Sequence, residues 1–307
     1  MSPWLSTPAL VLGRLDDLEW TAHYLDSTAA TRTDRSYAAG FAHWLALDRG
    51  QPGRARRVLQ NITLDLPPGP SGHELDPMMF THGGELLKAM LWDVDDGEVE
   101  AVLPRVSVAL DRTKPFGSGR DYDAWIIDVY AAAEYGILHG RPELARRALV
   151  RLSAVSESDS AAGRRARHAR MLIDAQLAAM DGRPDAASLA DVADSVLRRA
   201  DAGSELFDGA GSLLIARVWE QLGNLPRAVA ATARIGGLAP FYSSFVREHA
   251  RLSALAGNSE AAIKGYREYV LLRSKAEPSQ LADLEAAKRE LNRLTAKSVA
   301  VVPHAGR

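Results

Sequence analysis

Apolar residues recur along this chain at helical spacing, and no segment alternates apolar with polar long enough to make a strand. The pattern predicts an all-α fold. Residues 8–26 read as one amphipathic helix, with Leu12, Leu15, Leu18 and Leu25 on one side. Helix pairs follow at 34–49 with 52–61, 77–93 with 97–110, 121–139 with 142–155, 160–181 with 184–200, 204–222 with 225–236 and 240–256 with 259–274, and 279–295 is a final helix. Two stretches interrupt the pattern. Asn61 to Asp76 holds Leu66-Pro67-Pro68-Gly69-Pro70-Ser71-Gly72, which cannot be helical, and Asp111 to Arg120, with Lys114-Pro115-Phe116-Gly117-Ser118-Gly119, reads as a further loop.

The joint within each pair carries a repeated signature. Gly50, Gly140, Gly182, Gly223 and Gly257 are each followed five residues later by alanine: Ala55, Ala145, Ala187, Ala228 and Ala262. Gly97 with Val102 is a weaker copy. Glycine adopts the left-handed conformation that ends a helix, and a proline two or three residues on, as at Pro52, Pro142, Pro184 and Pro226, fits the first turn of the next helix. Each joint is therefore the tip of a helical hairpin. The alanine lies one turn into the second helix, where a small side chain allows close approach.

Successive turn glycines, Gly97 included, are 47, 43, 42, 41 and 34 residues apart. Seven residues before the glycine stand Ala133, Ala175, Ala216 and Ala250, with His43 in the first hairpin, and Pro240 falls where such a unit ends. The run Ala256-Gly257-Asn258-Ser259-Glu260-Ala261-Ala262-Ile263-Lys264-Gly265-Tyr266-Arg267-Glu268-Tyr269-Val270, continuing through Pro278 into the Leu281-to-Leu294 helix, resembles the tetratricopeptide repeat (TPR). In particular it is similar to the C-terminal TPR regions of bacterial serine/threonine kinases and transcriptional regulators. The resemblance implies a right-handed TPR-like superhelix of about six hairpins plus terminal helices. It divides the chain into an N-terminal capping helix or half-repeat at 1–33, a hairpin array at 34–274 and a C-terminal cap and tail at 275–307. No glycine-rich phosphate loop, His-Arg-Asp or Asp-Phe-Gly occurs, so the resemblance implies partner binding without kinase activity.

In that register, residues 13, 10 and 6 before each turn glycine face the concave surface of the array, the ordinary binding face of such proteins. They include Tyr37 and Trp44, Tyr130 and Glu134, Gln176, Arg217, and Arg247 with Arg251. The implied groove is aromatic at one end and arginine-rich at the other, which suits an extended peptide bearing a carboxylate. In a shifted register the same aromatics are core residues and the arginines are solvated.

Composition narrows the chemistry. The net charge of −2 gives no global attraction to nucleic acid or an anionic membrane, so such binding would need a local patch. Arg164, Arg165, Arg167 and Arg170, near Arg146, Arg147 and Arg151, form the one dense basic cluster: a phosphate-contacting ridge, or a solvated helix face with acids nearby. The absence of cysteine excludes thiol nucleophiles and zinc–thiolate sites. No window approaches the roughly 20 apolar residues of a membrane span, and the amino terminus lacks a signal-peptide core, so a cytoplasmic protein is expected.

His73, His82 and Glu85, with Glu74 and Asp76 between, match no metal-site spacing, and Asp93-Val94-Asp95-Asp96-Gly97-Glu98 departs from a calcium loop. Asp95 or Asp96 instead suits the start of a helix. No cofactor, metal or catalytic constellation is expected. The reading is a non-catalytic, protein- or peptide-binding scaffold in bacterial signalling or regulation. Two alternatives stay open: a small-molecule or phosphate sensor, and an enzyme whose groups converge from the two long loops.

Overall fold

The computed structural model describes residues 15–63, 82–91, 96–112, 119–156, 160–198, 208–234 and 241–301. Among these residues every regular element is a helix. In chain order they are α1 (Leu15–Thr28), α2 (Arg32–Asp48), α3 (Pro52–Thr63), α4 (His82–Leu91), α5 (Asp96–Asp111), α6 (Gly119–Leu138), α7 (Pro142–Ser156), α8 (Ala161–Met180), α9 (Ala186–Arg198), α10 (Asp208–Gln221), α11 (Leu225–Thr232), α12 (Tyr242–Leu255), α13 (Ser259–Leu272) and α14 (Leu281–Val301). A single 3₁₀ turn, Pro278–Gln280, precedes α14. The periodicity places most of these elements to within a few residues, but α6 opens at Gly119, inside the stretch read as a loop to Arg120, and α14 runs on to Val301, past the expected end at 295. At α2 the start moves back to Arg32, because Thr31 and Asp34 form a reciprocal capping box that satisfies the first free N–H groups.

The repeated glycines do what their spacing requires. Gly50, Gly140, Gly182, Gly223 and Gly257 all have φ between 63° and 81°. At each, the glycine N–H donates three residues back and the next N–H donates five back: Gly50 to Leu47 and Gln51 to Ala46, through to Gly257 to Ala254 and Asn258 to Ser253. This Schellman closure satisfies the last carbonyls of the first helix and reverses the chain. Gly97 differs: it lies in the first turn of α5, so the weaker copy is no turn tip.

Small residues mark the close crossings. Ala55, Ala145, Ala228 and Ala262 are buried five residues after their glycines, as are Ala133, Ala175, Ala216 and Ala250 seven before. The exception is Ala187, which is exposed. There α9 begins only at Ala186, and Ala186 takes the buried place instead. His43, the non-alanine in the crossing series, is buried because its Nδ1–H donates to the Ala55 carbonyl at 3.0 Å. At Gly265 an added Cβ would come within 2.9 Å of the Ala250 methyl, so α12 and α13 touch through that glycine.

The chain divides into two compact units, each described by itself: residues 1–69 with 232–307, and residues 70–231. In the first unit Ala22 of α1, Leu45 of α2, Tyr242 and Val246 of α12, Tyr266 and Tyr269 of α13 and Ala287 and Leu294 of α14 share one core. The first and last hairpins are thus joined, and both segments expected as caps contribute. Glu277 seals the joint. Its N–H donates to the Gly50 carbonyl at 2.8 Å, and its carboxylate accepts from the Gly53 and Arg54 N–H groups at 2.8 and 3.1 Å. A negative charge on the first turn of α3 complements the positive end of that helix.

In the second unit the helices from α4 to α10 each pack on the next, and the first helices of successive hairpins, α4, α6, α8 and α10, also pack side by side. Large side chains fill the spaces between them, among them Leu86, Trp125, Ile126, Ile173, Ile215 and Trp219. Each such ring or branched chain contributes about 2–3 kcal/mol of hydrophobic stabilisation. Adjacent-helix packing of this kind fits a helical repeat.

Candidate functional site

Three of the residues expected on one face occupy the same register. Glu134, Gln176 and Arg217 each stand six residues before a turn glycine, on α6, α8 and α10. Because those helices lie side by side, equal register becomes spatial proximity. The Gln176 amide donates to Glu134 Oε1 at 2.6 Å and to the Leu172 carbonyl of its own helix at 3.3 Å. Tyr130, one turn before Glu134, is beside the carboxyl, and the Arg217 guanidinium is near enough to stabilise its charge. Most of the row is closed to solvent: Tyr130 and Glu134 are 0 % exposed and Gln176 is 5 % exposed, while Arg217 is half-buried.

Burial dominates the electrostatics. It lifts the Glu134 carboxyl from 4.5 to about 7, against the opposing pull of the Gln176 and Tyr130 hydrogen bonds and the Arg217 charge. The same burial, with Glu134 alongside, pushes the Tyr130 hydroxyl well above the ordinary phenol range. Glu134 therefore exchanges its proton near neutrality inside a helical core. Arg217 Nη1 is itself buried and gives no hydrogen bond among the described residues.

The other residues of the expected face belong to the first unit. Tyr37 lies on α2, and Trp44, on the same helix, is half-buried. Arg247 and Arg251 stand one turn apart on α12. Arg247 pairs with Asp283 of α14, and Arg251 holds Glu248 of its own helix through two hydrogen bonds of 2.8 and 2.6 Å. Their side chains remain 37 % and 38 % exposed, so both guanidinium groups meet water as well as a carboxylate.

The basic cluster turns partly inward. Arg167 Nη1 donates to the Ser156 carbonyl at 2.5 Å and Arg170 Nη1 to the Ser156 hydroxyl at 2.9 Å, which ties α8 to the end of α7. Arg164 is exposed and Arg165 half-buried. Around them Arg147 pairs with Asp111 at 2.7 Å, Arg146 with Asp181 at 3.0 Å, and Arg151 Nε donates to the Leu110 carbonyl. These bonds spend much of the positive charge within the unit.

Of the residues weighed for metal or loop catalysis, His73, Glu74, Asp76, Asp93 and Asp95 lie outside the described residues. His82 opens α4, and Glu85, half-buried, is in its first turn. Among the described residues no group of three or more acids and histidines is placed to hold a metal ion.

One polar assembly escaped sequence reasoning. Arg273 is 3 % exposed and donates to the Gln280 side chain at 2.7 Å and to the Ser243 hydroxyl at 3.2 Å, while the Ser243 N–H donates to Asp48. Beside it Arg49, 2 % exposed, pairs with Glu19 at 3.1 Å. The partners come from opposite ends of the sequence. No local pattern signals it, because charged residues just before a turn glycine are ordinarily solvated.

The class that fold and site define is an all-α chain of packed helix pairs, with no helix long and apolar enough to cross a membrane among the described residues. Compared with family models, curated proteins and solved structures, the chain matches none.

Proposed function

We propose that the chain is a non-catalytic TPR-like scaffold that binds a protein or peptide, of the kind used in bacterial signalling or regulation, in the cytoplasm. The observation that carries this reading is the register: five turns close in the Schellman manner, and in three of those hairpins, opened by α6, α8 and α10, equivalent positions of successive first helices lie side by side. Within that register the residues open to a partner are Arg247 and Arg251, with the half-buried Trp44 in the same unit. Arg247 and Arg251 suit an acidic peptide that exchanges with Asp283 and Glu248 for the guanidinium forks. Affinity purification of the intact chain followed by mass spectrometry identifies the partner. Binding of that partner should then weaken about tenfold in an Arg247→Ala/Arg251→Ala variant and grow weaker with salt. Unchanged binding in the variant would reject this surface.

A second reading, a helical-repeat sensor of a small molecule or phosphate, draws on Arg217, whose buried Nη1 is a donor a ligand oxygen could accept from. Thermal shift with inorganic phosphate and a nucleotide panel tests it. A shift abolished by Arg217→Met supports that reading, and no shift removes it.

A further inference from the structure

The polar row in the second unit has a property that neither partner binding nor scaffolding requires. An acid and an amide from α6 and α8 meet in a site without solvent, and α10 brings a half-buried guanidinium close to them. A core built only for stability would place apolar groups there, because a buried polar cluster gains little net energy over well-packed hydrophobic side chains. What it gains is a dependence on the state of one proton. With Glu134 neutral, the carboxyl accepts from Gln176 and adds no charge of its own to the core. With Glu134 ionised, a full charge is buried, and the Gln176 and Tyr130 hydrogen bonds and the Arg217 charge offset only part of that cost.

The remaining elements packed on α6 direct their polar groups elsewhere. From α4, the Gly83 N–H donates to Asp128 at 2.6 Å, and from α5, Glu100 accepts from the Tyr135 hydroxyl at 2.8 Å. From α7, Leu144 packs against Gly136. The groups facing Glu134 are thus Tyr130 from its own helix, Gln176 from α8 and Arg217 from α10.

We propose that the Glu134–Gln176–Arg217 row is a proton-operated latch. With a proton on Glu134, α6, α8 and α10 close over a neutral carboxyl; when that proton leaves to solvent, the three helices part enough for water or Arg217 to reach the carboxylate. The latch does not rest on the partner-binding reading. It would open the helix faces that the register turns inward, as a function of proton concentration near neutrality.

Two measurements on the intact chain decide it. Infrared spectra of protein carrying carbon-isotope-labelled glutamate should show a protonated side-chain carboxyl at about pH 6 that is gone by about pH 8.5. Hydrogen exchange in α6, α8 and α10, corrected for intrinsic rates, should quicken about tenfold over the same interval with the same midpoint, while α12 and α13 stay unchanged. Glu134→Gln should remove both transitions, and Arg217→Met should move the midpoint upward. Absence of the carboxyl band at about pH 6, or equal exchange ratios in wild type and Glu134→Gln, would overturn the proposal. If Glu134→Gln does not fold, the wild type and Arg217→Met decide: a shared midpoint that moves together supports the latch, and separate or unmoved midpoints reject it.

Discussion

The two units use one register position in opposite ways. Six residues before the turn glycine, the second unit places Glu134, Gln176 and Arg217, and packs them into a row whose acid and amide are sealed from water. In the first unit the same position holds Trp44, half-buried, and Arg251, which keeps water on its guanidinium and a carboxylate from its own helix. Register therefore decides which way a side chain points, while the neighbouring hairpin decides whether that direction is wet or dry. In the second unit the neighbour is the next hairpin in sequence. In the first, it is the opposite end of the chain.

The sharpest way to break this comparison is to attack the dry side. Trp219, on α10, is 1 % exposed, and the Arg227 guanidinium lies 4.4 Å from its ring centroid while pairing with Asp191. Trp219→Ala should cost roughly 3–5 kcal/mol in urea unfolding followed by circular dichroism, from lost burial and the cavity left behind. Trp44→Ala should cost less than half of that, as fits a half-buried ring. Equal losses would mean that the two units are equally dry.

Next in size is the proton dependence. The folded-state value of Glu134, about 7, lies above the 4.5 of a free carboxyl, so between those values the folded chain holds more protons than the unfolded one. Stability from this group is thus complete below about pH 4.5 and declines as pH rises to about 7 and beyond, by about 3 kcal/mol in all. Glu134→Gln should flatten that decline, and Arg251→Ala should leave it in place. A urea midpoint for Glu134→Gln that falls over this range as steeply as the wild type would refute the assignment.

The joint of the first unit supplies a smaller effect. Glu277→Ala removes the charged acceptor of two N–H groups at the start of α3 and should cost about 1–2 kcal/mol. Amide exchange at Gly53 and Arg54 should quicken before the rest of the unit responds. Protection retained at both amides would show that water replaces the carboxylate without loss.

How far this was legible depends on the range of the contacts. Helices, turn tips and crossing alanines were readable because each is decided within about a turn of the chain, as Gly50 and Ala55 illustrate. Convergence of Glu134, Gln176 and Arg217 was readable too, since it needs only equal register on neighbouring first helices. Their burial was not: which residues cover a helix face depends on packing that periodicity does not encode. Ala187 was misplaced because a one-residue change in where α9 begins shifts the buried place to Ala186. The Glu277 joint lay beyond reach altogether, as its partners are 223 and 224 residues away and nothing local announces them.

The smallest effect tests the wet side. Arg251 and Glu248 are three residues apart on α12, and the arginine side chain is 38 % exposed, so solvent screens the pair and side-chain entropy opposes it. Arg251→Ala should change stability by no more than about 0.5 kcal/mol, within the range of exposed helix pairs. A guanidinium that costs so little to release from Glu248 can exchange that carboxylate for an incoming one. A loss above about 2 kcal/mol on Arg251→Ala would assign this arginine to the packing of the first unit rather than to its accessible surface.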